Sequence, residues 1–220
     1  MRRAVVALVL LALAGCGSEG AAPQGTMFLL DTIRQARKGG DEPQVTALAL
    51  TRAGVAEVDY PLIRIRVEEG ARISLMYQGQ ANARHRTFYD IAKTSFTFRA
   101  GVLTATRGLI PDLYQVDAPQ LLALLEGSGP AGKAQRIHRR MDATAAIGDE
   151  VYDCVLQDAG PEDIVVLDAP AATRYVTEDC TGPAGSFRNQ YWQGADGTMW
   201  LSKQWLGEDL GYLLVERLVR

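Results

Sequence analysis

The chain has 220 residues, a formal net charge of −3 and 47% hydrophobic residues. That length suffices for one well-buried core and is short for two domains. With 23 basic against 26 acidic residues it has no basic footprint, so no nucleic-acid partner is expected.

Residues 1–15 read as an address. Arg2 and Arg3 precede an unbroken apolar run, Ala4 to Ala14, too short for the roughly 20 residues that span a bilayer. A charged start, a short apolar stretch and small residues at its end make a secretory signal. Leu13-Ala14-Gly15-Cys16 matches the bacterial lipobox, which makes Cys16 the expected lipid anchor. Two or more acyl chains anchor stably where one does not, and Gly17 at the sorting position favours the outer membrane of a Gram-negative cell. Loss of Arg2 and Arg3 with the leader takes the net charge from −3 to −5. Residues 16–26 then form a lipidated cysteine and a flexible tether, small and polar in composition. Residues 27–220 form a single β-rich periplasmic domain, opened by an amphipathic helix at Met27–Lys38 that ends at Gly39-Gly40.

Beyond that helix the pattern turns to strands. Leu62–Glu68 alternates apolar with charged residues, the period of a half-buried strand, and 71–77 follows as its partner. Ser95–Arg99 and Val102–Thr106 flank Ala100-Gly101 at hairpin spacing. Asp117 is placed to cap a helix over 117–126, with Pro119 in its first turn. Further strands are expected at 135–142, 150–157, 172–179, 186–193, 198–206 and 211–218. The fold class is mainly β: antiparallel sheets, sandwich or barrel-like, with one or two short helices.

Gly127-Ser-Gly-Pro-Ala-Gly132-Lys133 imitates a phosphate-binding P-loop. Ala134 stands where a Ser or Thr must hold magnesium, and the glycines follow a helix instead of opening one. It reads as a plain loop, and no cofactor is expected. Cys154 and Cys180 form an even pair in an oxidising compartment, which points to a disulfide over two free buried thiols. His85 and His138 show no ligand spacing with them, so no metal is expected. Glu178, Asp179, Asp196, Glu208 and Asp209 are the acids from which a glycoside-cleaving pair would have to come.

All three tryptophans lie between Arg188 and Gly207. Asp196-Gly197 is a hairpin signal, and a two-residue loop there sets Trp192 opposite Leu201. One face then carries Arg188, Gln190, Trp192, Met199, Leu201, Lys203 and Trp205. The other carries Phe187, Asn189, Tyr191, Gln193, Trp200, Ser202, Gln204 and Leu206. Amides and cations among aromatics suit a sugar, so Arg188, Trp192, Lys203 and Trp205 form the candidate glycan or partner face. Trp192 or Trp205 is the ring expected to be open, with Trp200 and Tyr191 buried.

Several segments resemble one known family. They are Thr104-Ala-Thr-Arg107-Gly108-Leu109 with Asp112-Leu113, then Cys180, Asn189-Gln-Tyr191-Trp192, Gly197-Thr-Met-Trp200-Leu-Ser202-Lys-Gln204-Trp205 and Leu210-Gly211-Tyr212. With the lipobox, they resemble the YjbF/GfcB outer-membrane lipoproteins, whose genes accompany exopolysaccharide and capsule production. Ile110-Pro111 departs from the glycine-rich turn expected there. The resemblance implies a mainly β fold and a role in polysaccharide secretion or assembly, and it supplies no catalytic residue. The expectation is a non-enzymatic accessory lipoprotein at the periplasmic face of the outer membrane, binding glycan or a polysaccharide-export protein. The alternatives are a glycan-modifying hydrolase or lyase, or a purely structural part of an outer-membrane complex. Cys16→Ala is expected to abolish metabolic labelling by palmitate; a labelled mutant would refute the anchor.

Overall fold

Period-2 alternation governs most of the chain and curls it into one antiparallel sheet. The computed structural model describes residues 50–69, 73–141, 146–183 and 185–220. The leader, Cys16, the tether and the helix expected at 27–38 lie outside the described residues. The strands are β1 (Leu62–Val67), β2 (Ile73–Asn82), β3 (His85–Tyr89), β4 (Ser95–Arg99), β5 (Val102–Arg107) and β6 (Leu113–Asp117). After helix α1 (Pro119–Leu125) come β7 (Gly132–Met141), β8 (Ile147–Val166), β9 (Ala169–Gly182), β10 (Gly185–Gln193), β11 (Met199–Gly207) and β12 (Gly211–Val219).

The order across the sheet is β5-β4-β3-β2-β1-β12-β11-β10-β9-β8-β7-β6. The last strand therefore pairs with the first, Ile65 opposite Val215. The two ends of the order, β5 and β6, are consecutive in the chain, so the sheet is a nearly closed barrel. Side chains stitch this seam in place of a ladder. Thr106 Oγ1 donates to Asp112 Oδ1 at 2.7 Å and accepts from the Leu113 amide at 2.9 Å. Asp112 also receives the amides of Gly108 and Leu109, each at 3.0 Å.

The expected barrel-like β class is the observed one, and the tight turn at Ala100-Gly101 is present, with both residues at positive φ. Gly101 is required there, because a Cβ would fall 2.3 Å from that of Met199. β3 and β6 were not among the expected strands. They are five residues each and flank loops, too short for alternation to stand out. Asp117 does not cap α1: it closes β6 and bonds Arg139 at 2.6 Å and Gln115 at 2.9 Å, leaving Ala118 at the cap position without a side-chain bond. Pro119 at the first turn has no amide hydrogen to be capped, which lowers the need.

Inside the wall, Ile63, Ile65, Val67, Met76, Phe88, Phe96, Phe98, Leu103, Leu113, Leu206 and Leu213 form the main core. The leucines of α1 pack on Val102, Leu156, Val176, Tyr191 and Met199, so the helix plugs one mouth of the barrel. Its last carbonyls are taken by side chains: Leu124 by Arg174 and Leu125 by Gln193, both at 3.1 Å.

The β8–β9 hairpin outgrows the barrel. Past an irregularity between Asp158 and Gly160 it continues to Val166 and Ala169 as an arm. The arm crosses the outside of the wall: Glu162 accepts from the Trp192 indole on β10 at 2.9 Å, and the Leu167 amide donates to Glu216 on β12 at 3.4 Å. Its tip meets the segment before β1, where Val55, Leu62 and Leu218 form a small core outside the barrel.

Cys154 and Cys180 sit opposite each other on β8 and β9 and are disulfide-bonded, 26 positions apart in sequence. A non-reduced digest is expected to yield one peptide pair linked through them, and replacing both with serine should lower stability by about 3–4 kcal/mol by the chain-entropy relation.

Candidate functional site

The tryptophan hairpin has the register that its sequence implies along most of its length. Trp192 lies opposite Leu201, Tyr191 opposite Ser202 and Gln190 opposite Lys203. The turn differs. It spans Gly194 to Thr198, closed by the Gly194 amide on the Thr198 carbonyl at 2.8 Å, and the register shifts there to put Gln193 opposite Met199. The two-residue loop at Asp196-Gly197 is thus replaced by a longer one, and the shift takes Met199 off the outer face into the core around α1.

The face turned inward is the one carrying Asn189, Tyr191, Gln193, Trp200, Ser202 and Gln204, all of them buried. Their polar groups meet partners from other strands. Glu178 Oε2 accepts from Arg136 Nη1 and Asn189 Nδ2, both at 2.8 Å, and from the Tyr191 hydroxyl at 3.3 Å. Arg136 Nε donates to His138 Nε2 at 2.8 Å. Gln204 reaches across to β5, accepting from the Leu103 amide at 2.8 Å and donating to the Gly101 carbonyl at 2.9 Å. Burial alone would lower the Arg136 pKa; the charge of Glu178 and the Tyr191 hydroxyl outweigh it and hold it above the usual value. Burial, then Arg136 and Arg140, push His138 well below the usual histidine range, so its ring is neutral. Cys154, Cys180 and Glu178 bring their ligand atoms within 4.8 Å of one another, but both sulfurs are spent on the disulfide.

The outer face reads in three rows. Arg64, Glu216, Leu201, Trp192 and Tyr175 form the first, and the arm lies over it. Arg66, Leu214, Lys203 and Gln190 form the second. Tyr212 and Trp205 belong to the third, with Arg188 and Asp179 beside them. Rows lie roughly 7 Å apart along the strands, two residues each.

The four predicted site residues share this outer side in different states. Trp192 is half-buried, stacked on Tyr175 with centroids 4.8 Å apart. Trp205 is half-buried between Phe187 and Tyr212, and its indole N–H is buried without a partner. Arg188 is exposed and forks onto Asp179. Lys203 reaches over the Tyr212 ring at 4.3 Å and toward Glu68 at 4.0 Å. A hollow of about 300 Å³ opens there, lined by Arg66, Glu68, Lys203, Tyr212 and Leu214. Arg66, Glu68, Tyr212 and Leu214 were not among the site residues expected from sequence, although Leu62–Glu68 already aligned its charges on one face and Tyr212 lies in the family-like Leu210-Gly211-Tyr212. The partner across the hollow is β12, and no local pattern links strands so far apart in the chain.

The acids are scattered. Glu178 points inward and Asp179 outward. Asp196 lies in the 194–198 turn and is paired with Arg220 at 2.9 Å, and Glu208 and Asp209 occupy the turn at the other end of β11.

The sequence profile of the YjbF family, group 4 capsule polysaccharide lipoprotein GfcB, matches residues 30–218. The chain belongs to this family. Among solved structures, the fold of this YjbF-family chain is similar to that of the hypothetical lipoprotein YmcC from Escherichia coli, with a TM-score of 0.67 at 16% identity, over 87% of this chain and 96% of that one. No curated protein sequence matches significantly.

A pH dependence follows from the neutral histidine. The fold keeps His138 unprotonated, whereas the unfolded chain takes up a proton below about pH 6.5. Stability from this group is therefore present above that pH and lost progressively as pH falls below it. Urea midpoints measured from pH 7 to 5 are expected to fall more steeply for the native chain than for His138→Gln.

Proposed function

We propose that this YjbF-family chain is a non-enzymatic accessory factor in exopolysaccharide or capsule secretion, anchored through Cys16 at the periplasmic face of the outer membrane. In this reading the second and third outer rows, with Arg188, Lys203 and the rim of Trp205, bind glycan or an export protein together with the uncovered edge of Trp192 in the first row. The observation that carries the proposal is the family membership over residues 30–218. The hollow beside Lys203 and Tyr212 supports it, since an aromatic ring beside charged hydrogen-bonding groups suits a sugar's C–H face and hydroxyls. The five acids singled out by sequence do not face one gap, as the carboxyl pair of a glycosidase must at roughly 5–10 Å, which favours binding over cleavage by them. Opening on the outer side of the barrel also leaves a bound polymer free to run past the domain.

The test compares variants of the hairpin for polymer output and for stability. Arg188→Glu with Lys203→Glu is expected to cut secreted polysaccharide with little change in stability, since exposed ion pairs contribute little. Trp192→Ala should act in the same direction. Trp200→Ala, which removes a core ring, should cost roughly 3–5 kcal/mol. Normal secretion by the folded Arg188→Glu, Lys203→Glu variant would overturn the proposed face.

A further inference from the structure

Arg217 stands apart from the other interior charges. Arg136 is neutralised by Glu178 at 2.8 Å, and Arg140 by Glu150 at 3.1 Å. Arg217 belongs to β12, opposite Ile63 of β1. Directly paired residues share a side of the sheet, and Ile63 is in the main core, so Arg217 points into the barrel. Its guanidinium carbon lies 5.1 Å from the centre of the Phe88 ring, and its Nε is buried without a hydrogen-bond partner. None of the ion pairs among the described residues includes it. The charge that acts on it is another cation. Arg86 of β3 pairs with Phe98, also in the core, and so shares the inner side. Desolvation, and then Arg86, bring the Arg217 pKa down to about 10.

Arg217 is half-buried, with its Nε shut off from water, and a largely desolvated charge without a counter-charge is costly to the fold. Such a group is expected where a ligand supplies the missing charge, and a guanidinium suits the paired oxygens of a carboxylate or phosphate. Access is at the plugged mouth. The β2–β3 turn beside Arg86 meets the end of α1, where Arg84 bonds Glu126 at 3.0 Å. Glu126 is itself engaged by Arg84 and Arg99, so it does not neutralise the pair further in. Arg86 directs one Nη onto the turn carbonyls of Ala83 and His85, at 3.1 and 3.2 Å, which holds its charge near the mouth.

We propose that Arg217, assisted by Arg86, forms an oxyanion-binding site at this mouth of the barrel, for a carboxylate or phosphate group borne on a saccharide. That the group belongs to an acidic polymer rests on the polysaccharide reading above; the anion site does not. A bound anion stabilises the folded chain by mass action, so thermal unfolding reads it. The full-length protein in detergent is melted at fixed ionic strength with added glucuronate, inorganic phosphate or neutral glucose. Glucuronate or phosphate is expected to raise Tm and glucose to leave it unchanged; the larger of the two responses names the group. Arg217→Met should abolish the rise while starting from a Tm at or above that of the native chain, since methionine brings no charge to desolvate. Lys133→Gln, an exposed change of the same charge, should keep it. Should Arg217→Met fail to fold, Arg86→Gln is expected to weaken the apparent affinity at least about threefold, the scale of one exposed charge. A native chain that does not respond to either anion, or a response that survives both substitutions, overturns the site. A normal anion response beside an unaffected secretion phenotype would sink the proposed outer face and leave this site standing.

Discussion

The ion pair of Arg136 and Glu178 is the constraint around which the barrel is organised. Both side chains are buried at the core of the wall. Removing two charges from water costs more than their attraction returns unless further hydrogen bonds complete the set. Asn189, Tyr191 and His138 supply those bonds, so β7, β9 and β10 are tied to one another by side chains as well as by their ladders. Slipping any one of the three strands by a residue would turn its polar member outward and bury an outer residue. The pair thus gives register at the expense of raw stability.

The same network explains a division of labour within the tryptophan hairpin. Its amides face the interior because Glu178, the Gly101 carbonyl and the Leu125 carbonyl need partners there. Polar character, which in isolation suggests a wet binding face, is here the mark of the inside. The outer side keeps the cations and two of the three indoles. Even there the arm and Tyr212 cover much of the rings, so what remains open is a mixture of ring edges, guanidinium and ammonium groups.

The seam between β5 and β6 is the second structural economy. Asp112 and Thr106 satisfy the groups that a ladder would have used, at the point where the chain must turn through Gly108–Pro111. This ties together two segments that sequence comparison already set apart, Thr104–Leu109 and Asp112-Leu113. Their resemblance to a family has a physical basis in closing the barrel, with no need for a reacting group.

Much of the outline was legible in the chain. Leu62–Glu68, the Ala100-Gly101 turn and the cysteine pair each announce themselves through local periodicity, turn chemistry or compartment, which depend on near neighbours alone. The hairpin register likewise followed from alternation counted outward from its turn, although the turn's own form did not. Sequence could expect Tyr191 and Trp200 inside, but tertiary structure alone supplied what holds that face there, Glu178 and Arg136, 11 and 53 positions from Asn189. It also decided that Asp117 serves Arg139 and leaves α1 uncapped, that the β8–β9 arm shields Trp192, and that Arg66 and Tyr212 line one hollow. Each is a pairing between strands distant in sequence, set by closure of the sheet, and alternation within a strand carries no information about which strand will lie beside it.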